Sequence, residues 1–388
     1  MDFRPTEDQA AAAGLAADIF ADLAGPERLA AAGTGSDAEL WKALTAAGLT
    51  AAVEDVGLLG LVLLLEEQGR TTAQVPYAAT CVYGLLAIGA HGTAGQRTRL
   101  LPALRTGTAV ATGAFPARGE VRSEPADRTA PADPADPTDP TDPTAQADPA
   151  EPTDPTDPTV PAAGEGPASA RLTGTLPLVP WLRDAAYVLV PDRDRTLWLV
   201  RTDAPGATVV PVEATAPWSA GRLVLEAAEA ERLGTGPQAY EAVLATARTA
   251  FAGLQAGVCA GSLARAVAHT STREQFGRPL STNQGVQLRA ADAYMDTEAI
   301  RVTAYEAAWR IDQGLPARQH VLTAAWWASE AGKRVVHTGQ HLHGGLGADL
   351  DHPVHRHFLW GRQLDAYLGS GAEILAELGA SIAAEGPA

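Results

Sequence analysis

An α+β fold in three segments is predicted by three observations. Apolar residues recur at helical spacing up to about Thr106, short β-branched runs follow to about Leu233, and long helical periods run from Pro237 onward. Helices and strands segregated in this way pack as separate layers, not as alternating βα units. The expected organisation is an N-terminal α-helical domain over 1–106, a middle β-domain over 107–234 and a C-terminal four-helix bundle over 235–388.

Residues 6–105 are rich in alanine and leucine, with breaks at Gly25-Pro26, Gly33 to Gly35 and Gly89 to Gly95, which predicts several short helices. The pattern changes at Ala109–Phe115. That run, with Ala186–Val190, Thr196–Val200, Thr208–Val210 and Arg222–Leu225, has the length and residue types of strands. A low-complexity insertion of Asp-Pro-Thr and Asp-Pro-Ala units interrupts them over 121–168. Proline removes backbone donors and the aspartates repel one another, so an extended loop is expected there. Its units are too polar to hide an apolar face against a neighbour, which excludes a solenoid. Helical runs at 237–272, 281–313 and 317–342, then shorter ones near 353–366 and 370–384, predict the bundle.

A chain of 388 residues, 46% of them apolar, is long enough for more than one core. Its net charge of −17 argues against a nucleic-acid partner, whose phosphates need a basic face, and disfavours anionic membranes. Cys81 and Cys259 are its two cysteines and show no CxxC spacing, so they are expected to be buried thiols. The start, Met1 to Gln9, is polar and acidic where a secretory leader is basic and then apolar, and the run Gly57–Leu65 is too short to span a bilayer. A cytoplasmic protein is expected.

Chemistry concentrates at two corners. In the first, Arg273-Glu274-Gln275-Phe276-Gly277-Arg278-Pro279-Leu280 leads into Ser281-Thr282-Asn283-Gln284 and a new helix. It offers a guanidinium fork suited to a pyrophosphate, a ring suited to adenine, and amides suited to the base edge. Taken alone, the same residues also read as a helix stop. The second corner, His341-Leu342-His343-Gly344-Gly345-Leu346-Gly347, ends a long helix with glycines whose bare backbone admits a close phosphate. It reads equally as a glycine C-cap.

Both corners resemble motifs of the acyl-CoA dehydrogenase family, the first its R-x-x-F-G turn and following glutamine, the second its Q-L-H-G-G-x-G segment. Leu40-Trp41-Lys42 to Gly48-Leu49 and Leu172-Thr173-Gly174-Thr175 to Val179-Pro180-Trp181 resemble further family segments. The resemblance implies an α-β-α fold, FAD, an acyl-CoA substrate and an oligomer. It assigns FAD contacts to Arg273, Phe276, Asn283, Gln284, His341, Gly344 and Gly345, those of Arg273, Phe276 and Gln284 across a subunit interface, with histidine at 341 where the family usually has glutamine and Ala372 where many members have a second one.

The family's reaction needs a general base near the substrate's α-carbon, usually a glutamate. The two positions that carry it in different family groups are Leu368, in Tyr367-Leu368-Gly369-Ser370 where the family has Y-E-G-T, and Ala247, one residue before Arg248. Neither side chain accepts a proton, so the catalytic residue is unknown. Asp365 and Glu373 are the nearby carboxylates. Ser123-Glu124-Pro125 resembles the start of the family's T-E-P-G-x-G-S loop. No metal is expected from Asp351-His352-Pro353-Val354-His355-Arg356-His357, which lacks a His-Glu pair at helical spacing. The run from Gly339 to Trp360 resembles actinobacterial heteromers acting on sterol-derived side-chain thioesters, in which one subunit lacks the glutamate and its partner supplies it. A non-catalytic structural partner and a homomeric flavoenzyme with different chemistry remain alternatives.

Overall fold

Thr6 begins the first helix as a capping box, its hydroxyl accepting from Gln9 N while the Gln9 side chain accepts from Thr6 N. The structure is a computed structural model that describes residues 3–126 and 168–387. The Asp-Pro-Thr segment, 127–167, lies outside the described residues. The first helices are α1 (Glu7–Leu23), α2 (Pro26–Ala32), α3 (Ala38–Ala46) and α4 (Leu49–Thr71). After them, α5 (Tyr77–Ala79) widens into a π-helical stretch over Thr80–Leu86 and continues as α6 (Ala87–His91), before α7 (Ala94–Arg105).

Helix α4 breaks at Gly57, where φ is 71°. The exposed amides of its second half are capped by another helix: Asp312 accepts from Leu58 N at 2.8 Å and from Leu59 N at 2.9 Å. A Cβ at Gly57 would lie 3.0 Å from that carboxylate, so a small residue and a distant cap occur together. Asp312→Ala is expected to cost about 2 kcal/mol, since it removes a cap and leaves two partly buried donors unpaired. The check is a urea midpoint that falls at constant slope.

The middle sheet has the order β1 (Ala111–Gly113), β4 (Tyr187–Pro191), β5 (Leu197–Arg201), β7 (Gly221–Leu233), β3 (Ser169–Val179), β2 (Arg122–Pro125), with β6 (Ala207–Pro211) also paired to β7. Among the described residues only β1 and β4 are parallel; the other pairs are antiparallel. Strand β2 corrects the boundary of the insertion. Arg122–Pro125 pair with Ala170–Thr173, and Val121 before them is buried. Ser123-Glu124-Pro125 therefore lie in a strand, with Ser123 Oγ donating to Asp192 at 2.7 Å.

The last helices are α8 (Gly236–Thr272), α9 (Gln284–Asp312), α10 (Arg318–His343), α11 (Pro353–Tyr367) and α12 (Gly371–Glu385). The first three pack against one another, α11 against α8 and α10, and α4 lies along α8. Helix α8 is long and apolar enough to cross a membrane, but 78% of its most apolar window is buried within the fold. One core runs through the N-terminal helices, α8 and the inner side of the sheet, while a second fills the sheet itself.

Candidate functional site

The chain reverses between α8 and α9 through a two-stranded hairpin, β8 (Glu274–Gln275) with β9 (Arg278–Pro279), which the sequence shows only as a turn. Its two loop residues, Phe276 and Gly277, have φ of 55° and 76°. Positive φ at both central positions is what a type I′ turn requires. Phenylalanine holds such a φ at a cost, and its ring is 99% exposed. Arg273 is exposed and forms no ion pair among the described residues, its backbone alone being used, from N to His269 O at 2.8 Å. Asn283 is the N-cap of α9 and accepts from Arg278 Nη2 at 3.2 Å; Gln284 opens the helix, exposed.

The second corner stands at the same end of the bundle. Gly344, with φ of 61°, and Gly345 both have open space where a Cβ would be. At Gly345, then, neither φ nor internal packing calls for glycine. Gly347 differs, because a Cβ there would meet Gln340 O at 2.2 Å. His341 is exposed and lines a polar cleft of about 820 Å³ between α9 and α10, with Arg289, Lys333 and His337. The Arg334–Asp296 ion pair, 2.7 Å, belongs to the same cleft.

Ala247 is fully buried and Leu368 nearly so. The space beside Leu368, bounded by Arg248, Phe251, Ser329, Tyr367 and Ile374, amounts to about 20 Å³. That is room for one water and not for an acyl chain. Arg248 donates to Leu368 O at 3.4 Å and is paired at 2.9 Å with Glu377 of α12, a partner the sequence reading missed. Both candidate carboxylates are engaged by other groups. Asp365 is fixed by Arg362 at 2.8 Å and by Ser329 Oγ at 2.8 Å. Glu373 accepts from Ser370 N in a capping box, and that hydrogen bonding holds its carboxyl below the usual range.

Aromatic rings fill the surrounding junction between sheet and helices. Trp181 stacks on Trp218 at 4.4 Å, Trp218 meets Trp360 and Tyr367 edge-on at 5.5 and 6.1 Å, and Phe251 meets Tyr367 at 4.9 Å. Tyr83, Phe115 and Tyr240 continue the stack at 5.1 and 5.5 Å, and the Tyr83 and Tyr367 hydroxyls hydrogen-bond at 2.9 Å. Trp181 is fully buried with φ of 53°, a conformation that a bulky side chain adopts only under constraint. The indole N–H groups of Trp181, Trp218 and Trp360 have no acceptor among the described residues, so the three indoles are held by ring packing. A cleft of about 260 Å³ opens beside Phe115, Leu176, Gln363 and Tyr367. Its rim is the loop Ala114–Glu120, and Ser123-Glu124-Pro125 take no part in it.

The histidine-rich segment is used structurally. His352 caps α11 by accepting from Val354 N at 3.2 Å, and both ring nitrogens of His357 face backbone carbonyls, of Pro353 and Arg70. No group of three His, Cys, Asp or Glu with metal-holding geometry occurs among the described residues.

A sequence model described as "Acyl-CoA dehydrogenase, C-terminal domain" matches residues 234–382. A solved variant of the Tcur3481-Tcur3483 steroid ACAD is 37% identical, with a TM-score of 0.82 over 97% of this chain and 98% of that one. The ChsE4-ChsE5 complex from Mycobacterium tuberculosis is 29% identical, with a TM-score of 0.84 over all of both chains. Acyl-CoA dehydrogenase FadE27 of Mycobacterium tuberculosis is 38% identical over 243 residues, which span 57% of this chain and 64% of that protein. The chain belongs to the acyl-CoA dehydrogenase family of oxidoreductases.

Proposed function

We propose that the chain is the base-lacking subunit of a heteromeric FAD-dependent acyl-CoA dehydrogenase, and that its pole from Arg273 to Gly347 completes the FAD site of a base-bearing partner. The observation that carries the reading is a contrast within one molecule. Both positions that could bear the base are apolar, with about 20 Å³ beside Leu368, while Phe276 stands 99% exposed on a two-residue turn. An acyl group finds no base at either position and only about 20 Å³ beside Leu368; a ligand held by a neighbour finds an unpaired guanidinium, a free ring and bare glycine backbone.

The residues present fit the adenosine diphosphate half of FAD. Arg273 offers a fork of donors to the pyrophosphate, Phe276 a face for the adenine, and Asn283 and Gln284 amide groups for its edge. Gly344 and Gly345 let a phosphate approach the backbone, with His341 beside them in the family's usual glutamine position. FAD, when bound, supplies the acceptor for the hydride that leaves the β-carbon. The α-proton would go to the partner's carboxylate, because neither Leu368 nor Ala247 can take it. The names of two similar structures, a steroid ACAD and a two-component complex, support a steroid-type acyl-CoA substrate and a heteromeric assembly.

The test is co-purification with a base-bearing family member and measurement of flavin per chain. A yellow complex with one FAD for every two chains, and a colourless chain alone, is the expected result. A flavin-loaded homomer that oxidises acyl-CoA by itself would overturn the reading. A colourless complex would point to the scaffold role instead.

A further inference from the structure

Three histidines join the two corners of the pole. His269 lies in the last turn of α8, His343 ends α10 and His352 caps α11. The rings of His269 and His343 stack with centroids 4.7 Å apart and planes 21° apart, and His343 meets His352 at 5.0 Å. His269 O accepts from Arg273 N, so the first ring sits at the root of the hairpin. His343 immediately precedes Gly344, and His352 closes the loop after Gly347. The buried middle ring therefore touches one imidazole from each side of the pole.

The hydrogen bonds fix the state of Nδ1 in two of the rings. Gly339 O lies 2.7 Å from His343 Nδ1, and a carbonyl only accepts, so that nitrogen carries the proton. Val354 N donates to His352 Nδ1, which must therefore be bare. A second proton on His352 removes the cap of α11. The charges that face the stack are unfavourable to protonation: Arg265 on α8 and Arg273 at its end are positive, and Asp349 in the loop is the opposing negative group. Desolvation first, then the neighbouring imidazoles and arginines, hold His269 and His352 below the usual imidazole range.

We propose that His269, His343 and His352 form an imidazole clasp that positions the Arg273–Phe276 hairpin against the Gly344–Gly345 corner, and that mild acid opens it. The consequence for flavin rests on the function proposed above; the clasp itself does not. For bases held low in the folded state, the stabilisation is complete above the ordinary value of about 6.5 and is lost as pH falls below it.

The experiment places spin labels at Gln275→Cys and Leu350→Cys in the full-length chain, mixed with excess unlabelled chain, and measures their separation at pH 7.5 and pH 5.5. Cys81 and Cys259 are buried, with thiols pushed far up by desolvation, and stay unlabelled. The distance distribution is expected to widen about twofold at the lower pH. With His269→Gln and His352→Asn added, it stays narrow at both, since asparagine keeps the helix cap without titrating. His352→Asn alone, which retains the stacked pair of His269 and His343, is the second variant if the double one folds poorly, and it should reduce the widening. Equal widths at both pH values in the unsubstituted chain, or equal widening in the variants, would refute the clasp. No flavin enters the readout, so either outcome leaves the flavin reading to its own test.

Discussion

Phe276→Ala leaves the chain as stable as before and weakens flavin retention by the co-purified complex about tenfold; Arg273→Ala weakens it about a hundredfold. The first half follows from exposure. A ring 99% in solvent contributes no burial, and alanine at a φ of 55° is strained no more than phenylalanine. The second half follows from what each group can supply. An aromatic stack is worth about 1 to 1.5 kcal/mol beyond area, and each 1.4 kcal/mol is tenfold. A charge-assisted fork on a pyrophosphate is worth about 3 kcal/mol, and its loss also flattens the salt dependence of flavin release. Flavin dissociation followed by fluorescence, beside thermal unfolding, separates the two effects. Unchanged flavin content in both variants would remove this pole from the FAD site.

How much of this was legible in the sequence depended on whether the cause was local. The long helices were readable because their apolar spacing persists over several turns: runs expected at 237–272 and 317–342 stand at Gly236–Thr272 and Arg318–His343. The first corner was readable as a turn from Gly277 and Pro279, but not as a hairpin, since two-residue strands carry no periodicity. Strand β7 was read only as Arg222–Leu225. Its continuation, Glu226-Ala227-Ala228-Glu229-Ala230-Glu231, is made of helix-favouring residues, and it is the pairing with β3 and β5 that makes it a strand. Asp312 capping Leu58 and Leu59, Glu377 pairing with Arg248, and the stack of His269 on His343 join residues far apart in the chain. No spacing announces such pairs. The absent base was visible at Leu368 and Ala247 only through the family motif; the filled space around Leu368 was not visible at all, because it is built from Trp181, Trp218, Phe251, Trp360 and Tyr367 on four different segments.

That filling makes a second large effect predictable. Trp218→Ala is expected to lower stability by about 4 kcal/mol, the cost of truncating a fully buried indole whose neighbours can only partly collapse. The same variant, in the fraction that still assembles, should leave kcat/KM within about twofold, because a ring that only fills space touches no substrate. A wall of a working acyl pocket would behave in the opposite way, shifting kcat/KM far more than stability. Leu368→Glu sharpens the distinction. It restores a carboxylate at the family's position, but beside Arg248, which already holds Glu377, and next to a void of about 20 Å³. The chain alone should therefore gain no acyl-CoA oxidation from it. Turnover by that single variant would mean that the aromatic stack yields to substrate, and that the chain lost its base without losing its pocket.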